Sequence, residues 1–151
     1  MPDARDEAAR AAAAFGDAND AVDTAAAAVL GINRTDLRIL GLVLAEGAMA
    51  AGPLAAAAGL SPAATTTAIQ RLVTAGHLIR ATDPHDRRRA VVQLTTSAEA
   101  ALDRIYGPIH RAGLRELARY SAAELALITD FLNRGRRMQL EQAERVRSLD
   151  L

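Results

Sequence analysis

Between residues 52 and 95 the sequence changes its periodicity, and that change limits the fold more than any other feature of the chain. Gly52-Pro53 is followed by Leu54-Ala55-Ala56-Ala57-Ala58, a short helix of about two turns, and then by Gly59-Leu60. Ser61-Pro62 opens another helix in the favoured order: a hydroxyl to cap the first turn, then a proline where the missing N–H costs nothing. That helix carries Thr65, Ile69, Leu72 and Val73 and stops at Gly76. Two short helices joined by a tight glycine turn form a helix-turn-helix signature. Beyond it, residues 77–82 and 89–94 read as extended segments flanking the polar turn Asp83-Pro84-His85-Asp86-Arg87-Arg88. A hairpin is the economical reading. It is the only strand signal in the chain, and a lone hairpin must lean on the helices beside it.

The flanks are helical. Residues 3–30 are rich in alanine, and their larger apolar side chains, Phe15, Val22, Val29 and Leu30, form a narrow stripe suited to a seam against another helix. Gly31-Ile32-Asn33-Arg34 breaks that helix. Thr35 starts the next, with Asp36 in its first turn, apolar residues at Leu37, Leu40, Val43 and Leu44, and Gly47 as its stop. After the hairpin, Thr95 or Ser97 begins a stripe through Leu102, Ile105, Ile109, Leu114 and Leu117, with a kink expected at Gly107-Pro108. Ser121-Ala122-Ala123-Glu124 fits a capping box for a last helix bearing Leu125, Ile128, Phe131, Leu132 and Met138. The whole is mainly α with one small β-hairpin. At 151 residues it is one domain. Half the residues are hydrophobic but only 3% are aromatic, so the terminal helices have little bulk to bury alone. Pairing them across a two-fold axis completes the core, and a homodimer is expected.

Charge narrows the partner. All 18 basic residues are arginine, balanced by 18 acids, and a neutral total argues against a purely electrostatic binder of nucleic acid. The distribution is uneven. Residues 1–50 hold eight acids against four arginines, whereas residues 61–97 hold Arg71, Arg80, Arg87, Arg88 and Arg89 against Asp83 and Asp86. One locally basic segment suits a directed contact with an anion. The chain has no cysteine, which removes disulfides, thiol redox sensing, cysteine nucleophiles and thiolate metal sites together. The start is acidic rather than basic like that of a signal peptide, and no apolar run approaches the roughly 20 residues of a membrane span. A cytoplasmic location is expected. No Cys, Asp or Glu cluster accompanies His77, His85 and His110 at ligand spacing, so no metal or other cofactor is expected. Ser61 and Ser97 lack a Gly-x-Ser-x-Gly context and no phosphate-binding glycine loop is present, so no enzyme is expected either.

The order helix, helix, short helix, longer helix, hairpin, two long helices resembles the MarR family of transcriptional regulators. The match is sharpest in Asp83-Pro84-His85-Asp86-Arg87-Arg88-Arg89-Ala90-Val91-Val92-Gln93-Leu94-Thr95, against the family pattern Asp-Pro-x-Asp-Arg-Arg followed by Leu-Thr. Thr35-Asp36-Leu37-Arg38, Gly52-Pro53-Leu54-Ala55 and the stretch from Ser61-Pro62 through Arg71-Leu72 to Ala75-Gly76 resemble the family's helix starts and its recognition helix. The resemblance implies a winged helix-turn-helix lobe over residues 35–95, with residues 1–33 and 97–151 as dimerisation helices of one MarR-like domain. It implies a homodimer on a pseudo-palindromic operator, with two recognition helices about one DNA turn, roughly 34 Å, apart, and a repressor as the usual role.

The implied contacts with double-stranded DNA come from the recognition helix and the wing. Ser61, Pro62, Thr65, Thr66, Thr67, Gln70 and Arg71 supply short polar groups that reach base edges and phosphates. At the wing tip Arg88 is expected in the minor groove and Arg87 near phosphate. Asp86 is assigned to orienting an arginine, since a carboxylate facing the duplex would be repelled. Where many relatives carry arginine in mid-helix, this chain has Thr65-Thr66-Thr67, so readout leans on threonine methyls, hydroxyls and the wing. The family also binds small aromatic or phenolic ligands, for which Phe15, Arg38, Tyr106 and His110 are candidate pocket residues. The weakly basic recognition helix keeps a second reading open: a winged-helix module that contacts protein, with DNA binding weak or lost.

Overall fold

A computed structural model describes residues 3–150. Six helices and two strands follow in the order α1 (Ala4–Leu30), α2 (Arg34–Glu46), α3 (Ala51–Ala58), α4 (Pro62–Thr74), β1 (Leu78–Thr82), β2 (Ala90–Leu94), α5 (Thr96–Leu117) and α6 (Ala122–Arg147). They divide into two units, one ending at Ile105 and a second starting at Tyr106.

The first unit holds the core. Ile39, Leu40 and Val43 of α2, Leu54 of α3, Ile69 and Leu72 of α4, Leu78 of β1 and Leu102 of α5 are all buried, with Val91, Val92 and Leu94 of β2 beside them. Each fully buried leucine or isoleucine contributes about 1.5–3 kcal/mol relative to exposure. From α1 only Ala26 and Ala27, at its carboxy end, are buried.

Local sequence explains the turns. Gly59 sits in the left-handed region (φ 68°) and its amide reaches Ala55 O and Ala56 O, while Leu60 N also bonds Ala55 O. A Cβ there would cost about 1–2 kcal/mol, and glycine avoids it. Ser61 then caps α4, its hydroxyl accepting from Ala64 N at 3.1 Å, with Pro62 as the first helical residue. The cap of α2 is Asn33, whose side chain accepts from Asp36 N, so the helix begins at Arg34, before the expected Thr35.

Strands β1 and β2 pair antiparallel from Leu78↔Leu94 to Thr82↔Ala90. The expectation of a lone hairpin is corrected in one respect: Met49, between α2 and α3, exchanges both backbone bonds with Val92 at 3.1 and 2.8 Å. The hairpin is thus pinned on its far edge to the α2–α3 linker. Thr95 closes its base, donating its hydroxyl to Gly76 O at 2.8 Å and accepting Ala98 N at the start of α5 at 3.1 Å.

Helix α5 continues through Pro108 without interruption. Helix α6 opens with the expected capping box: Ser121 accepts Glu124 N, and Glu124 accepts Ser121 N. The Ser121 amide first, and the Ser121 hydroxyl second, donate to Glu124 Oε2 and hold that carboxyl below the usual carboxylate range. None of the 26 residues of α6 is buried; Leu127 is 73% exposed and Phe131 55%. Among the described residues, no helix is long and apolar enough to cross a membrane.

Candidate nucleic-acid interface

Helix α4 has two faces. Thr65, Ala68, Ile69 and Leu72 point inward at the i, i+3, i+4, i+7 spacing of a buried stripe. Thr66, Thr67, Gln70, Arg71, Thr74 and Ala75 line a shallow open groove on the other side. The assignment of Thr65 to a DNA contact is corrected by this geometry: the residue is 0% exposed and its hydroxyl donates to Ser61 O at 2.9 Å. Its place in the stripe of Ile69 and Leu72 was the available signal. Ser61 and Pro62 are exposed at the start of the helix beside Ala63 and Ala64, so a ligand can approach the first turn closely. Thr66 and Thr67 are exposed, and each donates its hydroxyl to the carbonyl four residues back, Pro62 O and Ala63 O, at 3.0 Å.

Two arginines brace this face. Arg71 meets Asp36 of α2 through a fork, Nε to Oδ2 at 3.1 Å and Nη2 to Oδ1 at 2.7 Å. The hydrogen bond first, and the carboxylate's charge second, raise Arg71 above its ordinary pKa. Asp36 is only 3% exposed, and sequence reading gave it no site role. Arg80 of β1 donates to Gln70 Oε1 at 3.1 Å, while Gln70 Nε2 reaches Thr74 Oγ1 at 3.3 Å. Arginine has no acceptor, so this contact fixes which end of the amide faces the strand.

The wing tip is ordered by its acids. Asp83 Oδ1 accepts His85 N at 2.8 Å and Asp86 Oδ1 accepts Arg88 N at 3.0 Å. The backbone closes the turn through Asp83 N to Arg89 O and Arg89 N to Asp86 O, at 2.8 and 2.9 Å. Asp86, expected to orient an arginine, holds the turn through the backbone amide of Arg88. Arg87 and Arg88 are exposed, and no ion pair among the described residues holds either guanidinium.

The other candidates divide between the two units. Phe15 is 62% exposed on α1, and Arg38 of α2 donates to Ala57 O at 3.3 Å, near the carboxy end of α3. Tyr106 is half-buried and His110 exposed, both on α5 in the second unit. Among the described residues, no group of three or more histidines and acids is placed to hold a metal ion.

Comparison with known proteins agrees with this arrangement. The profile described as MarR family matches residues 30–89. The uncharacterized HTH-type transcriptional regulator YcgE of Bacillus subtilis (strain 168) is 32% identical over 123 residues, spanning 82% of this chain and 80% of its own. Three solved structures share the fold. Rv1404 from Mycobacterium tuberculosis superposes with a TM-score of 0.67 at 20% identity, over 91% of this chain and 95% of that one. Apo MarR from E. coli gives 0.58 at 21%, over 83% and 93%. A cysteine-to-serine mutant of MarR complexed with operator DNA gives 0.52 at 21%, over 88% and 98%.

Proposed function

The chain belongs to the MarR family of DNA-binding transcriptional regulators, and from that premise we propose that it works as a homodimeric repressor on a pseudo-palindromic operator. The observation that carries this reading is one lobe with two outward features of complementary reach. The polar outer face of α4 offers Thr66, Thr67, Gln70 and Arg71, with Ser61 and Pro62 at its start. The hairpin, anchored by Val91, Val92 and the Met49 bridge, carries Arg87 and Arg88 at its tip with their charges unspent. A helix of this kind fits the major groove and an arginine-tipped wing the adjacent minor groove. The MarR complex with operator DNA supports the reading by its likeness of fold.

The unburied apolar side chains of α1 and α6 support the dimer, because a second copy supplies the surface that one chain lacks. In this reading α1, α6 and much of α5 are the dimerisation helices, and residues 35–95 contact DNA in the cytoplasm. A small aromatic or phenolic ligand tunes the complex, with Phe15, Arg38, Tyr106 and His110 as its candidate contacts; a panel of simple phenolic acids screened for release of DNA tests that part.

The test of the whole reading is binding of the purified protein to its own upstream DNA across salt concentrations, beside a scrambled duplex. The expected result is preferential, steeply salt-dependent binding, with Arg88→Ala losing about tenfold or more in affinity, in line with a charged hydrogen bond. Equal, weak binding to both duplexes, unmoved by Arg88→Ala, would overturn it in favour of a protein-contacting winged helix.

A further inference from the structure

A buried carboxylate is an unexpected component of a lobe that must approach a polyanion, and Asp36 is one. Placing a charge in the interior is costly unless it is paired and hydrogen-bonded. Its partner is Arg71, 35 residues along the chain and on the recognition helix itself. The fork uses two of the five guanidinium N–H groups. The Arg71 side chain remains 49% exposed and lines the outer groove of α4 with Thr66, Thr67 and Gln70. Asp36 in turn sits in a first turn that is itself fixed: Asn33 accepts the Asp36 amide, and Arg34 pairs with Asp20 of α1 at 2.7 Å.

Apart from the single bond from Arg80 of β1 to Gln70 Oε1, the rest of α4's side-chain attachment is apolar, through Ala68, Ile69 and Leu72. Apolar burial is non-directional and tolerates a small roll of the helix about its axis. A planar fork does not, because both of its bonds must keep their angles. The difference matters at the DNA face. A roll of about 20° moves a side-chain tip at a radius of about 5–6 Å by about 2 Å, more than a hydrogen bond tolerates.

Resting on the DNA-binding reading above, we propose that Asp36 is a positioning residue for sequence recognition: through Arg71 it sets the roll of α4, so that specific contacts form in register. Its negative charge also offsets Arg71 and restrains sequence-independent attraction to phosphate. The carboxylate thus weakens non-specific binding while sharpening specific binding.

The experiment uses the full-length protein, a duplex carrying the site recovered by in vitro selection from a randomised library, and a shuffled duplex of the same composition. Asp36→Asn keeps the shape but removes the charge and one acceptor of the fork. Arg71→Lys keeps the charge but cannot span both carboxylate oxygens. The quantity read is the ratio of the two Kd values, which a smaller folded fraction does not alter. Each variant is expected to lower the ratio about tenfold, the scale of one charge-assisted hydrogen bond. Non-specific affinity is expected to be equal or tighter for Asp36→Asn, which removes a negative charge beside the DNA face. A ratio kept within about twofold in both variants, the scatter expected of uncoupled sites, would overturn the proposal and leave the pair a fold contact only. Should Asp36→Asn fail to fold, Asp36→Glu, which keeps the charge but displaces the carboxylate from the fork, is read in its place with the same fall in ratio expected. If the wild-type protein yields no selected site, the regulator reading itself fails and the proposal falls with it.

Discussion

Thr65 separates two accounts of the recognition helix, and its substitution by valine or by serine tests them in opposite directions. Its side chain is fully buried, and its hydroxyl donates to Ser61 O, which also accepts the Thr65 amide at 3.0 Å. Valine has the same shape and loses the hydroxyl bond, a cost of about 0.5–1.5 kcal/mol, but leaves Ser61 O with its backbone partner. The added buried methyl returns about 0.8 kcal/mol. The net change for Thr65→Val is within about 0.7 kcal/mol of zero. Thr65→Ser keeps the hydroxyl and deletes a methyl from a packed site, costing about 1 kcal/mol or more once the cavity is counted. Urea unfolding should therefore rank serine below valine, with both variants binding the selected duplex as the wild type does. If Thr65 reached DNA through its hydroxyl, the order in the binding assay would be the reverse. A tenfold loss of affinity in Thr65→Val at unchanged stability would refute the placement of this residue in the core.

Further outcomes follow from the wing and the helix ends. Arg87→Ala should lower the slope of log affinity against log salt by about 1.8 for a dimer, one phosphate contact in each protomer, measured by fluorescence anisotropy. Asp86→Ala should weaken specific binding with that slope unchanged, because it frees the Arg88 amide and removes no cation. Gly76→Ala should cost about 1–2 kcal/mol of stability by urea titration, since φ is 79° there while nothing within 4 Å obstructs a Cβ. Glu124 has a lowered folded-state pKa, so its contribution is present above the ordinary carboxylate range and is lost as pH falls through the lowered value. Helicity followed by circular dichroism should decline over that acidic window, and less so in Glu124→Gln.

What could be read in the sequence were features set by neighbouring residues. The Ser61-Pro62 start, the Gly59 turn, the Ser121–Glu124 box and the two strands each depend on a few consecutive residues, and each stands where their chemistry puts it. The true start of α2 was also local: Asn33 lies three residues before Asp36, the spacing of a cap, but Thr35 competed as a start. The features that escaped are non-local or lack a pattern. Met49 lies among alanines with no strand neighbours, and its bridge exists only because Val92 arrives opposite it. Asp36 reads as an ordinary first-turn acid until folding brings Arg71 to it. Thr65 was misplaced because polar character outweighed periodicity, although Ile69 and Leu72 marked its face as the inner one.

The two threonines on the outer face of α4 have a consequence for the alphabet such a helix can read. A hydroxyl has a single proton, and Thr66 and Thr67 each direct theirs back along the helix to Pro62 O and Ala63 O. Outward they present a methyl group and oxygen lone pairs. A base edge that offers an amino hydrogen or a methyl, as adenine, cytosine and thymine do in the major groove, meets such a surface without disturbing it. Guanine shows only acceptors there, and to bond with it either threonine must first release its own helix. If α4 meets the major groove as proposed, the two side chains in this resting geometry have no proton left to give that letter.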